Sequence, residues 1–522
     1  MKRYTSLLYS LLTGLLLVFA WPDSYFTALI FIAWIPLLLL ADKEKNVYRF
    51  FLFCLLSMFI WNAGTTWWIW NSTPEGAIGA IIANSFLMCL PLWGAYLFNK
   101  KYGNVIGVTS FIVFWLSFEY IHLNWQLSWP WLTLGNVFAT QPSWIQWYEI
   151  TGVSGGSLWV LLVNILLFSC YKKINRKKLI AAVGVLVLPF VASFALTPNA
   201  AELEAAANTN VVIVQPNIDP YSEKFDMAST EGQIKKLIDL SEQAMDENTR
   251  LVLWPETALP VGVWQNEVQQ NHYYQPVFEF VNRHPQVMLQ TGIEAYKSYG
   301  TNKETITARK NESTGTYYDA FNSSVMIAAN QPLIFYNKSK LVPGVETLPT
   351  FLMWLADVFE QFGGTTGGYG TDREANVFKA PVSPYVTAPI ICYESIYGEY
   401  VTNYIHKGSN LLTIMTNDGW WANTPGHRQH LQYARLRAIE TRKWVARSAN
   451  TGISAVIDHS GTIRDSRPWD TPAAIKFAIP PMQGETFFVR NGALIFGLAL
   501  LLMGALLLYN FLMMFRKKVL KK

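Results

Sequence analysis

Charge is scarce in this chain, and so are cysteine and histidine. Asp, Glu, Lys and Arg make up only 15% of its 522 residues, against 51% hydrophobic. A soluble globular domain carries about 25% charged residues, so one such domain cannot account for the whole chain. The net charge is only +5, and the Lys/Arg excess sits in short loops. A nucleic-acid partner would call for a basic patch on a folded face, so that class is set aside. Cysteine occurs four times. Cys54, Cys89 and Cys170 fall in apolar stretches, where a thiol behaves as a small hydrophobe. Cys392 is left alone in the polar part, which excludes a disulfide framework there. No His/Cys group has metal-site spacing. His427 and His430 stand close together without a third ligand, so no metal is expected. There is no Gly-rich phosphate loop either. Gly363–Gly368 lacks the Lys-Ser/Thr of a P-loop and reads as a hinge.

The apolar residues gather in the first two hundred positions and the last thirty. Eight spans are expected: Tyr4–Trp21, Tyr25–Ala41, Phe50–Trp70, Gly76–Phe98, Val105–Ile121, Gly156–Tyr171, Leu179–Leu196 and Gly492–Phe515. The first is read as a retained helix, because Ala20-Trp21-Pro22-Asp23 is a poor cleavage site. Basic residues mark every second connection and both ends, at Lys2/Arg3, Lys43/Lys45/Arg49, Lys100/Lys101, Lys172–Lys178 and Arg516–Lys522. The alternate connections carry none. The positive-inside rule then puts both termini in the cytoplasm and residues 197–490 outside it. Glu119, inside the fifth span, is a functional candidate because an intramembrane carboxylate is costly. The Trp-rich connection His122–Gly155 is expected to lie on the outer leaflet as an interfacial segment.

Residues 197–490 read as one domain between a seven-helix membrane domain (1–196) and a final span with a basic tail (491–522). Apolar strand-like runs open it at Asn210–Gln215 and recur at Leu251–Trp254, Gln286–Gln290, Ser323–Ala329 and Leu411–Thr416. Helical patterns such as Thr230–Asp246 and His430–Ser448 lie between them, which implies an α/β layered domain. Glu256, Lys338 and Cys392 stand at or just past strand ends, where α/β folds place their sites. Cys392 ends the run Ala388–Ile391. At a strand-to-helix turn, helix N-terminal amides favour a thiolate.

In order, the chain shows Val214-Gln215-Pro216-Asn217, then Trp254-Pro255-Glu256-Thr257-Ala258, then Tyr336-Asn337-Lys338 with Leu341-Val342-Pro343. Ile391-Cys392-Tyr393-Glu394 and Thr416-Asn417-Asp418-Gly419-Trp420-Trp421 follow. On eight spans, this series resembles the apolipoprotein N-acyltransferase family, a membrane branch of the nitrilase (carbon–nitrogen hydrolase) superfamily. The resemblance implies a polytopic α-helical membrane domain joined to an αββα sandwich. It implies a Glu256–Lys338–Cys392 triad, and transfer of an acyl chain from a phospholipid to the α-amine of a diacylated apolipoprotein. It also implies the bacterial inner membrane, with the catalytic domain on the periplasmic side, and no cofactor. The chain departs from the family pattern at Gly344-Val345 before Glu346, at Pro216 where Gly is common, and at His122 where Arg often follows the membrane Glu.

Chemically, a thiolate attacks an ester carbonyl and holds the acyl group as a thioester. Glu256 is the expected general base, and Lys338 the expected oxyanion donor. Glu346, Glu394 and Tyr393 are expected to support them. Trp254, Trp420, Trp421 and Asn322 are expected to contact substrate. Thr347–Phe362 has the spacing of an amphipathic helix, with Phe351, Leu352, Trp354, Leu355 and Phe359 on a gate for acyl chains. Two other classes stay open: a membrane-tethered amidase or nitrilase using the same triad, and a catalytically silent polytopic scaffold.

Overall fold

The computed structural model describes residues 3–198, 209–355 and 368–519. The chain forms two compact units. One comprises Met1–Trp70, Pro74–Thr197 and Asn491–Lys522, the other Asn71–Thr73 and Pro198–Arg490.

The first unit is helical: α1 (Arg3–Ala20), α2 (Ile35–Lys43), α3 (Val47–Thr66), α4 (Pro74–Tyr102), α5 (Asn104–Leu123), α6 (Tyr148–Lys172), α7 (Arg176–Ala195) and a C-terminal helix, Leu494–Val519. Among the described residues, six helical stretches are long and apolar enough to cross a membrane, and α1 is a shorter apolar helix. The expected second span is not continuous. A 3-10 turn, Thr27–Phe31, precedes α2, and Pro36 sits in the first turn of α2. Proline starts a helix well but cannot donate to the turn before it. Eight expected spans are thus met by six long helices, one short helix and one broken segment. The outward faces of α7 and the C-terminal helix carry Leu188, Phe194 and Leu501, all exposed. Faces of this kind require an apolar solvent.

The connection after α5 corrects the expectation of an interfacial segment. It folds as 3-10 turns, Pro130–Leu132, Leu134–Thr140 and Pro142–Trp144; the first two are largely buried in the helical unit and the third is partly exposed. Phe138 packs on Phe31 and Trp159, Trp131 on Trp68, and Trp144 on Phe190. Rings with partners this close have no need of the lipid headgroup level. Glu119 accepts from the Trp115 indole (2.9 Å) and the Leu134 amide (2.7 Å), so it pins this connection to α5. His122 does not replace the absent Arg as its partner. Its Nδ1 accepts from Trp125 and its Nε2 faces Asn84 Oδ1, each at 2.9 Å.

The second unit is a sandwich of two sheets. The first holds β1 (Asn210–Gln215), β2 (Thr249–Leu253), β3 (Leu259–Trp264), β4 (Met288–Ser298), β5 (Arg309–Lys310), β6 (Tyr317–Ala328) and β7 (Ile334–Asn337). The second holds β8 (Phe378–Lys379), β9 (Val386–Ile391), β10 (Leu411–Thr416), β11 (Val445–Ala449), β12 (Ala455–Ile457) and β13 (Ile463–Ser466). β14 (Ala473–Ala478) returns to pair antiparallel with β1 in the first sheet. β1, β2 and β4 run parallel, as do β9, β10 and β11. The period of two along a strand divides β1 between two cores. Val211 and Ile213 face the core between the sheets, with Ile390, Ile414 and Val445. Val212 and Val214 face outward onto α8 (Thr230–Ala244) and α9 (Gln275–Arg283). α10 (Gly398–His406) and α11 (Pro425–Thr441) complete the αββα layering from the second sheet.

Gln290 on β4 crosses the inter-sheet core. Its Oε1 accepts from Thr387 of β9 (2.7 Å), and its Nε2 donates to Thr413 of β10 (2.9 Å). All three residues are fully buried. Gln290→Leu strands the Thr387 hydroxyl. Chemical denaturation should show a loss of about 1–3 kcal/mol, the cost of a buried polar group without a partner.

Candidate active site

Each reactive residue stands on a backbone held by its neighbours. Glu256 follows β2 through Trp254-Pro255, and Thr257 after it takes a left-handed φ of 47°. Gly292 on β4 makes this turn possible. A Cβ there would lie 2.3 Å from the Thr257 nitrogen and 2.7 Å from the Glu256 Cα. Lys338 follows β7, and its amide donates to the Asn322 carbonyl on β6 (2.9 Å). Glu346 closes a turn in which its Oε2 accepts from the Val342 amide (2.8 Å) and its own amide donates to the Val342 carbonyl (2.9 Å). Gly344 takes φ 81° in this turn, so the altered Gly344-Val345 pair still delivers the carboxylate. Cys392 ends β9 at φ 50° and opens a 3-10 turn, Cys392–Ile396.

The side chains converge. Lys338 Nζ lies 3.2 Å from Glu256 Oε1 and 2.9 Å from Glu346 Oε1. Asn322 Nδ2 donates to the same two oxygens, at 2.8 and 3.0 Å. Glu256 Oε2 accepts from the Asn417 amide (3.1 Å). All of these residues are buried. Burial by itself would pull the Lys338 ammonium down, but the Glu256 and Glu346 charges override it and hold it well above the usual lysine range. Burial likewise pushes Glu256 up. The Lys338 charge, the Asn322 hydrogen bond and Lys224 outweigh it and keep the carboxyl below its ordinary value. Glu256 is therefore held as a carboxylate and Lys338 as an ammonium.

Cys392 behaves otherwise. Burial, and then the Glu256 charge, push its thiol well up, against Lys338 and a Thr416 hydrogen bond. A five-residue 3-10 turn has too little dipole to reverse this. The expected thiolate is corrected to a thiol with an ionised carboxylate beside it.

Two buried clusters hold the cysteine turn. Glu394 Oε1 accepts from the Ser339 amide (2.7 Å), the Lys340 amide (3.2 Å) and the Tyr336 hydroxyl (2.6 Å). Its Oε2 accepts from the Ile391 amide (2.9 Å). One carboxylate thus ties the backbone after Lys338 to the backbone before Cys392. Burial raises Glu394 to about 6, against these donors. Behind the turn, Asp418 joins Arg447 (2.6 Å) and His430 Nδ1 (3.0 Å). His430 Nε2 lies 2.9 Å from Ser395 Oγ and 3.2 Å from the Cys392 carbonyl. His430, which has no metal-site partner in the sequence, supports the backbone at Cys392.

The remaining expected residues divide. Trp254 is fully buried in the outer core, stacked on Phe280 with its indole donating to Ser241. It cannot contact substrate there, which corrects that expectation. The Asn322 nitrogen is committed to the two carboxylates, and its buried Oδ1 has no hydrogen-bond partner among the described residues. Trp420 packs against Tyr221 and Phe225, Trp421 against His430, and both are half-buried. Tyr393 is buried edge-on to Tyr397. Of the expected gate helix, Thr350–Leu355 is a 3-10 turn with Phe351 and Trp354 exposed and Leu352 half-buried. The Leu355 side chain and Phe359 lie outside the described residues. The Asn417 amide lies in the Thr416–Trp421 motif, which by itself gives it no role, and Lys224 has no sequence signal. Lys224 sits among polar neighbours in Ser222-Glu223-Lys224 and reads as surface, yet it is 2% exposed.

Residues 210–483 match the model of the Carbon-nitrogen hydrolase family, and residues 13–166 that of the Apolipoprotein N-acyltransferase N-terminal domain. Apolipoprotein N-acyltransferase of Chlorobaculum tepidum is 30% identical over 503 residues, 93% of this chain and 92% of that one. The protein of the same description from Haemophilus influenzae is 26% identical over 550 aligned positions, covering 99% of this chain and 97% of the relative.

The raised thiol has a direct reading. Alkylation of Cys392 by iodoacetamide should reach its midpoint at a pH above the value of about 8.5 for a free thiol. A midpoint near or below that value would restore the resting thiolate.

Proposed function

This chain belongs to the apolipoprotein N-acyltransferase family, and on that premise we propose the reaction its Glu256–Lys338–Cys392 cluster carries out. It is a membrane-bound acyltransferase acting on lipoprotein and lipid. The donor is a membrane phospholipid. The acceptor is the α-amine of the diacylglyceryl-modified N-terminal cysteine of an apolipoprotein. The site lies on the periplasmic side of the inner membrane, with both termini cytoplasmic, as the alternation of basic connections supports.

Glu256 takes the proton from Cys392 Sγ as sulfur attacks the ester carbonyl carbon. The carbonyl π pair moves onto oxygen, facing Lys338 Nζ and the Tyr393 amide. A donor of this kind contributes about 3–4 kcal/mol to the barrier reduction. The tetrahedral adduct collapses and the ester C–O bond breaks. The leaving oxygen takes the proton from Glu256 and departs as lysophospholipid, with the acyl group held on sulfur as a thioester. The α-amine then attacks that carbonyl and gives a proton to Glu256. The C–S bond breaks, and sulfur recovers the proton as the amide leaves. Ester plus amine has become alcohol plus amide.

The observation that carries this reading is Lys338 buried between Glu256 and Glu346, at 3.2 and 2.9 Å. It keeps Glu256 ionised, ready to take a proton from the thiol in the first half-reaction and from the amine in the second. The exposed Phe351 and Trp354, a few residues past Glu346, support an apolar entrance for the acyl chain.

Intact mass of the detergent-solubilised chain incubated with phospholipid tests the reaction. An acyl-sized increase is expected on the wild type and absent from Cys392→Ala, and a diacylated lipopeptide should discharge it with amide product. Discharge by water just as fast, with no amide, would mean an amidase-type hydrolase instead. Gly292→Ala pushes on the Glu256 backbone. Adduct formation should slow by about a hundredfold, the effect of roughly 1 Å of misplacement.

A further inference from the structure

The site holds a second buried lysine that the triad does not use. We propose that Lys224 is a positioning residue of this acyl transfer, fixing the Glu256 base from behind and lending its charge to the Cys392 sulfur as that sulfur ionises. The inference rests on the acyl-enzyme reading above.

Lys224 Nζ donates to the main-chain carbonyl of Glu256 at 3.0 Å. That carbonyl lies just before the left-handed Thr257, so the bond holds a turn that would otherwise relax. The lysine is itself held from both sides. Its amide donates to the Asp219 carbonyl (2.9 Å). Gln233 of α8 donates to the carbonyls of Glu223 (2.8 Å) and Lys224 (3.3 Å). The loop's own carboxylate at Asp219 is taken by the Tyr221 amide and Ser222 hydroxyl, both at 2.8 Å. Lys236 of α8 points to the Asn217 carbonyl. The titratable groups that face Lys224 are therefore Glu256 and Cys392.

Lys338 and Lys224 differ in one respect. Lys338 is matched by two carboxylates within ion-pair distance, whereas among the described residues Lys224 has a carbonyl and no carboxylate at that distance. Its charge is not locked in an ion pair at that distance. When sulfur gives its proton to Glu256, the negative charge moves from one group that faces Lys224 to the other, and the ammonium stays opposite it throughout the transfer. Burial lowers the Lys224 ammonium to about 8, against the Glu256 and Cys392 charges. A raised proton affinity would have kept it charged at every working pH. A lowered one means the charge is present below about 8 and lost above it.

The test is the pH profile of acyl-enzyme formation on the full chain in detergent with phospholipid. The wild type should fall on an alkaline limb near pH 8. Lys224→Arg keeps its charge through that range and should move the limb upward by a unit or more. Lys224→Met should slow the reaction roughly tenfold or more, as loss of a charge-assisted hydrogen bond does, and erase the limb. A limb unchanged in Lys224→Arg, or retained in Lys224→Met, overturns the role of Lys224 alone, because a merely structural lysine would scale the profile without reshaping it. Absence of any adduct on the wild type overturns the acyl-enzyme reading itself, and this role with it.

Discussion

The site depends on one buried cation shared by two carboxylates. Removing a charge from water costs several kcal/mol, and Lys338 is 1% exposed. The cost is offset only because Glu256 and Glu346 approach it from two separate turns and Asn322 saturates the same oxygens. The geometry therefore propagates outward. The Glu346 turn must close on Val342, β4 must carry a glycine at position 292, and β6 must present Asn322 beside both carboxylates. None of these can move alone without leaving a buried charge unmatched.

The sandwich carries that demand through polar staples placed where the two sheets meet. Gln290 joins β4 to β9 and β10 in mid-core, while Glu394 joins the end of β7 to the end of β9. Glu256 and Lys338 come from the first sheet and Cys392 from the second, so a shift between the layers would separate carboxylate from thiol. Asp418, Arg447 and His430 add a third tie from β10, β11 and α11 to the Cys392 carbonyl. The shared cation is thus backed by hydrogen bonds that hold the backbone on either side of the site, at Ser339, Ile391 and the Cys392 carbonyl.

What the sequence made legible was the part encoded locally. Strand runs ending in Glu256, Lys338 and Cys392 are contiguous patterns, and the alternation of β1 is a period of two. What it hid was long-range. Lys224 looks like a solvated residue because its neighbours are polar, and its burial comes from the Glu256 turn more than thirty positions away. Trp254 stands only two positions before Glu256, but the alternation that puts Leu253 between the sheets puts Trp254 in the outer core, whereas Glu256 lies past the strand on the turn at left-handed Thr257. The Trp-rich connection after α5 failed for a related reason. Aromatic composition marks a lipid interface and a packed interior alike, and only the partners of each ring distinguish them. The second expected span had enough apolar residues, but composition does not register where a proline forces the chain to restart.

The thiol at Cys392 has one further consequence, which concerns survival rather than turnover. Peroxides oxidise thiolates far faster than thiols, and exposed sulfurs before buried ones. A sulfur kept protonated at 9% exposure offers an oxidant little to react with. The remaining cysteines belong to the helical unit, and Cys392 has no resolving thiol in its own fold. A sulfenic acid formed there would find no neighbour with which to make a reducible bond, and would be free to advance to irreversible forms. In the proposed reaction the sulfur would give up its proton only to attack an acyl ester, which spares the protein the need for a repair partner.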